Sequence, residues 1–260
     1  MSDDLISLRM LIVSEAAPER EAVRTAASQA SVPIQVEEIE AAADATAACH
    51  LLARDGAFDV VLFDSRMPRA DRQKVLDAIR DASGRPLAIL VGAAEMKTRE
   101  VLTDGLAVDG VLAKPIEARE LSELIENCIR ARLPKRVLIV DDSATVRSII
   151  RKVLQASRFR LEPDEAAEGA AAIEQANRQR FDIVFLDCNM PGLDGFATLS
   201  QLKRSHPDSK VVMITGTRDI RIEDRARAGG AADFLYKPFF AKDIDAVLNR
   251  AFGLMRQKWN

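Results

Sequence analysis

Apolar runs of four to six residues, separated by longer stretches of helical spacing, set the pattern of the chain. In the second half the runs are Val137 to Val140, Ile183 to Leu186, Val211 to Ile214 and Phe234 to Tyr236, with a weaker one near Phe159 to Leu161. Runs this short and without internal alternation predict strands buried on both faces, as in a parallel sheet covered by helices. Between the first two runs, Val146, Ile149, Ile150, Val153 and Leu154 recur at i, i+3, i+4, i+7 and i+8, one apolar stripe on a helix. A fivefold strand and helix alternation in about 120 residues predicts an α/β fold, a doubly wound parallel five-stranded sheet of flavodoxin-like order.

The pattern is written twice. F-D-V-V-L-F-D at Phe58 to Asp64 returns as F-D-I-V-F-L-D at Phe181 to Asp187. Met67-Pro68 and Met190-Pro191 follow at the same offset, and Lys114-Pro115 and Lys237-Pro238 stand 50 residues beyond their aspartates. Agreement in order and spacing predicts two domains of one fold, residues 1–131 and 132–260, a size usual for single domains. Ala131 to Arg136 is the expected junction, where Pro134 stops helix propagation.

Composition narrows the function classes. With 48% hydrophobic and 30% charged residues the chain can pack a core in each half and does not read as disordered. A net charge of -3 with dispersed Lys and Arg supplies no footprint for nucleic acid or an anionic membrane. The apolar runs are too short to span a bilayer and the Met1 end opens S-D-D, so a cytoplasmic protein is expected. Cys49, Cys128 and Cys188 lack C-x-x-C spacing and read as buried thiols. His50 and His206 have no neighbouring ligand motif.

Ligands of an open parallel sheet bind outside the carboxyl ends of its strands. In the second half, Asp141, Asp142, Asp187, Thr215 and Lys237 directly follow or end apolar runs and should converge there. Three carboxylates in one pocket repel one another, and a hard divalent cation with oxygen ligands is the least costly remedy. Mg2+ suits this best because it keeps positions open for phosphate oxygens. Lys237 and Thr215 offer a compact positive charge and a hydroxyl to a phosphoryl group, and an aspartate can itself accept that group.

V-D-D-S, F-L-D-C-N-M-P-G-L-D-G, I-T-G and Y-K-P-F, in this order between Arg136 and Phe252, resemble the receiver domain of bacterial two-component response regulators. The resemblance implies a phosphoacceptor at Asp187 and Mg2+ held by Asp142, Asp187 and the backbone carbonyl of Asn189, with Asp141 in support. It further implies phosphoryl contacts from Thr215 and Lys237 and a switch formed by Thr215 and Phe234. The phosphoryl group would come from a histidine kinase or a histidine phosphotransfer protein. Asn189 and Thr217, each two residues past a site residue, are expected to tune phosphate lifetime.

The first half resembles the same family with losses. Asp64 and Lys114 keep their places, but the acidic pair has become Ser14-Glu15, Val111 replaces the switch aromatic and Arg66 replaces Asn189. Where Thr215 stands, the first half offers Val91 or Gly92. Arg66 could pair with Asp64 or Glu15 in the place of a metal, so the first domain is expected to be a pseudo-receiver.

With one helix expected after Lys237, no separate output domain is expected. Signalling is then expected to run through protein contact: onward phosphate transfer, or phosphorylation-dependent binding to a partner or to a second copy of the chain. The competing enzyme reading is an aspartyl-nucleophile phosphatase, which typically carries a second Asp two residues on, where Ser143 and Asn189 stand here. Flavin binding on the same fold lacks a phosphate loop in D-D-S-A-T. Among the remaining residues, Cys188 reads as a buried spacer, Phe239-Phe240 as packing at a helix start ahead of the alternative of an exposed partner patch, and Trp259 as an interface anchor.

Overall fold

The computed structural model describes residues 9–28, 38–54, 58–93, 108–114, 117–157 and 159–255; Trp259 lies outside them. Among the described residues the chain divides into two compact units. One runs to Arg132 and takes in Phe252 to Met255, and the other runs from Leu133 to Ala251.

The first unit comprises β1 (Arg9–Val13), α1 (Ala17–Ser28), β2 (Glu38–Ala42), α2 (Ala45–Ala53), β3 (Val60–Asp64), α3 (Arg69–Asp81), β4 (Leu87–Ala93), β5 (Gly110–Lys114) and α4 (Ala118–Arg132). Its sheet has the order β2-β1-β3-β4-β5, with every pair parallel. The second unit comprises β6 (Lys135–Val140), α5 (Ala144–Ala156), β7 (Leu161–Ala166), α6 (Gly169–Arg178), β8 (Ile183–Asp187), α7 (Gly195–Ser205), β9 (Lys210–Thr215), α8 (Ile220–Ala228), β10 (Asp233–Tyr236) and α9 (Ala241–Ala251). The same order and parallel pairing recur as β7-β6-β8-β9-β10. Both sheets are the expected flavodoxin-like arrangement. The order reverses beside β1 and β6, which opens a crevice where β1 meets β3 and β6 meets β8.

The central strands are apolar because helices cover both faces. Val137, Leu138, Ile139 and Val140 are all fully buried, as are Phe185 and Leu186 beside them. Helix caps set where the chain leaves each strand: the Ser143 side chain accepts from the Val146 amide to start α5, and Asp194 accepts from Ala197 to start α7. Gly195 follows at that start because a Cβ there would lie 2.2 Å from the Asp187 carbonyl oxygen. Only glycine lets α7 begin this close to the end of β8.

Four expectations shift. The weak run near Phe159 marks only the approach to β7, which spans Leu161–Ala166 and is largely polar. β7 is an edge strand, so it need not be apolar throughout, and Pro163 is tolerated there. The stripe on α5 is narrower than its periodicity suggests: Ile150 and Leu154 are buried, whereas Ile149 is 46% exposed. The junction shrinks to Leu133 and Pro134, because α4 continues to Arg132 and β6 begins at Lys135. Finally, the Phe240 ring is 64% exposed and does not pack at the helix start. Its backbone does the capping, donating to Asp243 Oδ2 at 2.8 Å and accepting from the Asp243 amide at 3.0 Å.

Candidate functional site

In the second unit, the ends of β6, β8, β9 and β10 bring five predicted residues to one crevice. Asp141, Asp142 and Asp187 each place a carboxylate oxygen within 4.8 Å of the others. Among the described residues this is the one cluster of three or more such groups. Asp141 and Asp187 are buried, and Asp142 is exposed. Lys237 Nζ donates to Asp141 Oδ2 and to Asp187 Oδ1, both at 2.9 Å. The Asn189 amide donates to Asp187 Oδ2 at 3.2 Å, and the Ser143 amide to Asp141 Oδ1 at 2.9 Å. Lys237 precedes a cis peptide bond to Pro238.

Burial and the neighbouring Asp141 push the Asp187 carboxyl above the usual range, against the opposing pull of Lys237 and the Asn189 amide. For Lys237 the balance is reversed: burial disfavours the ammonium, yet Asp187 and Asp141 hold it more firmly charged than usual. Cys188 is a buried spacer, its thiol pushed up to about 12 by burial and by Asp187. A thiol so hard to ionise is no nucleophile at neutral pH.

Thr215 is fully buried at the end of β9, and its hydroxyl accepts from the Thr217 amide at 3.1 Å. No hydrogen bond joins it to Asp187 among the described residues. Phe234 is buried on β10 and stacks on Tyr236, with ring centroids 6.0 Å apart.

The first unit repeats the geometry with other chemistry. Register settles the correspondence that sequence left open. Asp64 pairs with Val91 as Asp187 pairs with Ile214, so Gly92 stands where Thr215 does. Val111 takes the place of Phe234 by the same pairing. Lys114 Nζ lies 2.8 Å from Asp64 Oδ2, and Arg66 reaches the same carboxylate through Nε at 3.0 Å and Nη2 at 2.6 Å.

Arg66 does not also bond Glu15, the alternative partner. Its other partner is Glu19 on α1, at 2.9 Å, and Glu19 also takes Lys114 Nζ at 2.6 Å. Ser14 Oγ donates to Glu19 Oε2 at 2.8 Å. Glu19 escaped sequence reasoning because it lies a helical turn beyond the strand end, where nothing distinguishes it from a favourable acid in the first turn of α1. A cavity of about 410 Å³ remains before Asp64, lined by Ser14, Glu15, Asp44, Arg66 and Asp71 among others. The first unit has therefore exchanged the net acidity of the site for paired charges and kept its space.

Burial alone would raise the Asp64 carboxyl, but hydrogen bonds from Arg66 and Lys114 outweigh it and lower the pKa to about 2. A folded-state value below the unfolded one adds stability that is complete above about pH 4 and disappears as the pH falls toward 2. Because Arg66 is 68% exposed, solvent screening holds the gain to roughly 1–2 kcal/mol. Urea unfolding should show Asp64→Asn less stable than the wild type at pH 6, with the gap closing between pH 4 and 2. A gap that does not change with pH would contradict this assignment.

A family model described as the response regulator receiver domain matches residues 10–126 and again 137–249. The chain belongs to the response regulator receiver family. Protein CcdB of Bacillus subtilis strain 168 is 35% identical over 118 residues, covering 45% of this chain and 98% of that protein. The chemotaxis protein CheY of the same organism is 32% identical over 118 residues, with the same coverage of each. A protein-glutamate methylesterase/protein-glutamine glutaminase of Rhodospirillum centenum matches at 35% over 113 residues, but only 29% of that protein is spanned. A solved structure titled as a probable two-component system response regulator/GGDEF domain protein covers 95% of this chain and 98% of its own. Its 20% identity and TM-score of 0.55 speak to the fold alone.

The protein is a tandem receiver of two-component signalling, and the family assignment favours that reading over the phosphatase one. No helix among the described residues is long and apolar enough to cross a membrane.

Proposed function

We propose that the second receiver accepts a phosphoryl group on Asp187 with Mg2+ bound, and that the first is a pseudo-receiver that does neither. The supporting observation is one of charge. Asp141, Asp142 and Asp187 against Lys237 leave a formal charge of about -2, which one divalent cation cancels. In the first receiver Arg66 and Lys114 already lie on Asp64 and Glu19, so that even with the neighbouring Glu15 the formal charge is only about -1.

The donor set fits magnesium, being three carboxylates with the carbonyl of Asn189 close behind Asp187 in the chain. Bound there, the ion would supply positive charge and ligand positions for the phosphoryl oxygens. Asp142 and Asp187 would hold it, with Asp141 in support. The donor is a phosphohistidine of a histidine kinase or histidine phosphotransfer protein. In the transfer its phosphorus–nitrogen bond breaks as a phosphorus–oxygen bond forms to an Asp187 carboxylate oxygen. Lys237, already on Asp187 Oδ1, compensates the charge arriving on the transferred group.

Thr215 then turns its hydroxyl proton from the Thr217 carbonyl to a phosphoryl oxygen, and Phe234 follows. The phosphate shifts the population toward the state that binds it better. Output passes by protein contact, either with the next member of a relay or with a second copy of the chain. The only chemistry assigned to the protein is its own phosphorylation and dephosphorylation.

Acetyl phosphate with Mg2+ should raise the mass of the intact chain by one phosphoryl group, and chelation of the metal should prevent it. No gain under conditions that modify a control receiver would sink the proposal.

A further inference from the structure

Arg147 on α5 lies outside the motifs that carry the resemblance, yet it touches both residues of the acidic pair through their backbone. Its Nη1 donates to the Asp141 carbonyl at 2.7 Å and to the Asp142 carbonyl at 3.4 Å. Its Nε donates to Glu165 Oε2 at 3.0 Å, and Arg151, one helical turn on, takes Glu165 Oε1 at 2.5 Å. Arg147 is only 16% exposed, so this is no loose surface pair. Glu165 sits on β7 opposite Ile139, two residues before Asp141. The edge strand thus grips the guanidinium that grips the loop.

The first receiver is an internal control for this arrangement. Arg20, six residues after Ser14 as Arg147 is six after Asp141, donates Nη1 to the Ser14 carbonyl at 2.8 Å and the Glu15 carbonyl at 3.0 Å. Opposite Ile12, however, where register places the counterpart of Glu165, stands Ala41. The bond from arginine to loop survives where the acids are gone. Among the described residues, the carboxylate that fixes the arginine occurs only beside the acidic pair.

We propose that Arg147, fixed by Glu165, is a positioning residue for magnesium: it holds the Asp141-Asp142 backbone so that the exposed Asp142 carboxylate is presented in place. This rests on the metal reading of the second receiver. Groups that orient metal ligands are commonly worth tenfold or more in affinity. An opposing effect sets the sign of the test, because a nearby guanidinium repels a cation and its removal could tighten binding. Glu165, shared with Arg151, offsets part of that charge, and Arg147 meets the acidic pair at its carbonyls and not its carboxylates, so loss of order should win.

Mg2+ titrated calorimetrically into the full chain measures the outcome. Arg147→Ala should weaken Mg2+ binding about tenfold. Glu165→Gln should weaken it by a smaller factor, since the loop bonds remain while the arginine loses its anchor. In acetyl phosphate reactions, the Mg2+ concentration for half-maximal rate should rise while the rate at saturating Mg2+ is held. Arg147→Lys, which keeps the charge but not the fork, should recover only part of the affinity. Wild type that binds no Mg2+ would defeat the metal reading itself. Wild type that binds, with a folded Glu165→Gln or Arg147→Lys variant binding as tightly or more tightly, would overturn the role of Arg147. A lowered plateau with unchanged half-saturation would also overturn it.

Discussion

Asp187→Asn is expected to take phosphoryl uptake from acetyl phosphate to below about 1% of wild type, and Asp64→Asn is expected to leave it unchanged. The two aspartates occupy the same place in the same fold, at the end of the third strand of each sheet. Their surroundings differ. Asp187 has one ammonium on Oδ1, one amide on Oδ2 and two further carboxylates nearby that call for a cation. Asp64 has both oxygens occupied by Arg66 and one of them also by Lys114, which stabilises the free carboxylate and lowers its nucleophilic drive. Intact mass measured with Mg2+ present reads both variants directly. Uptake that persists in Asp187→Asn and disappears only when Asp64→Asn is added would reverse the assignment of the two domains.

The second large effect concerns Lys237. It is the shared counter-charge for Asp141, which is fully buried, and for Asp187, which is 5% exposed. Lys237→Met strands two carboxylates in a desolvated crevice, and breaking a buried pair in this way costs about 3–5 kcal/mol. Lysine is itself 30% exposed here, and water reaching that side lowers the expected loss to about 2–3 kcal/mol. Magnesium should return part of it, since a divalent ion can take over the neutralisation. Urea unfolding of the full chain with and without Mg2+ tests both halves of the statement. A variant as stable as wild type without metal would show that the ammonium contributes little to the fold.

Much of this was legible in the chain. A buried parallel strand cannot hide its composition, so F-D-I-V-F-L-D and V-L-I-V announced themselves, and their polar successors marked the site. Strand β7 was only half visible because an edge strand faces water and carries L-E-P-D-E-A, which has no apolar run to read. Ile149 and Phe240 misled for a related reason: periodicity reports which face a residue shares, and says nothing of how far the neighbouring element extends to cover it.

Side-chain partnerships across elements were the least legible. Glu19 was invisible because its role depends on where α1 brings it, over Lys114 95 residues away in the chain. Glu165 was equally hidden, since its partners are set by the register of β6 against β7.

By itself, the sequence determined the duplicated α/β fold, the crevice at the strand ends, and which half keeps three acids with a lysine. Those follow from local composition and from the rule that parallel strands converge their carboxyl ends. Tertiary structure decided the rest: that Asp64 is neutralised by Arg66 and Lys114, which Glu19 also holds, that Gly92 stands for Thr215, and that Glu165 fixes Arg147. Each of these depends on distances between residues far apart in the chain, where electrostatic and hydrogen-bond energies fall off within a few ångströms and no local pattern records them.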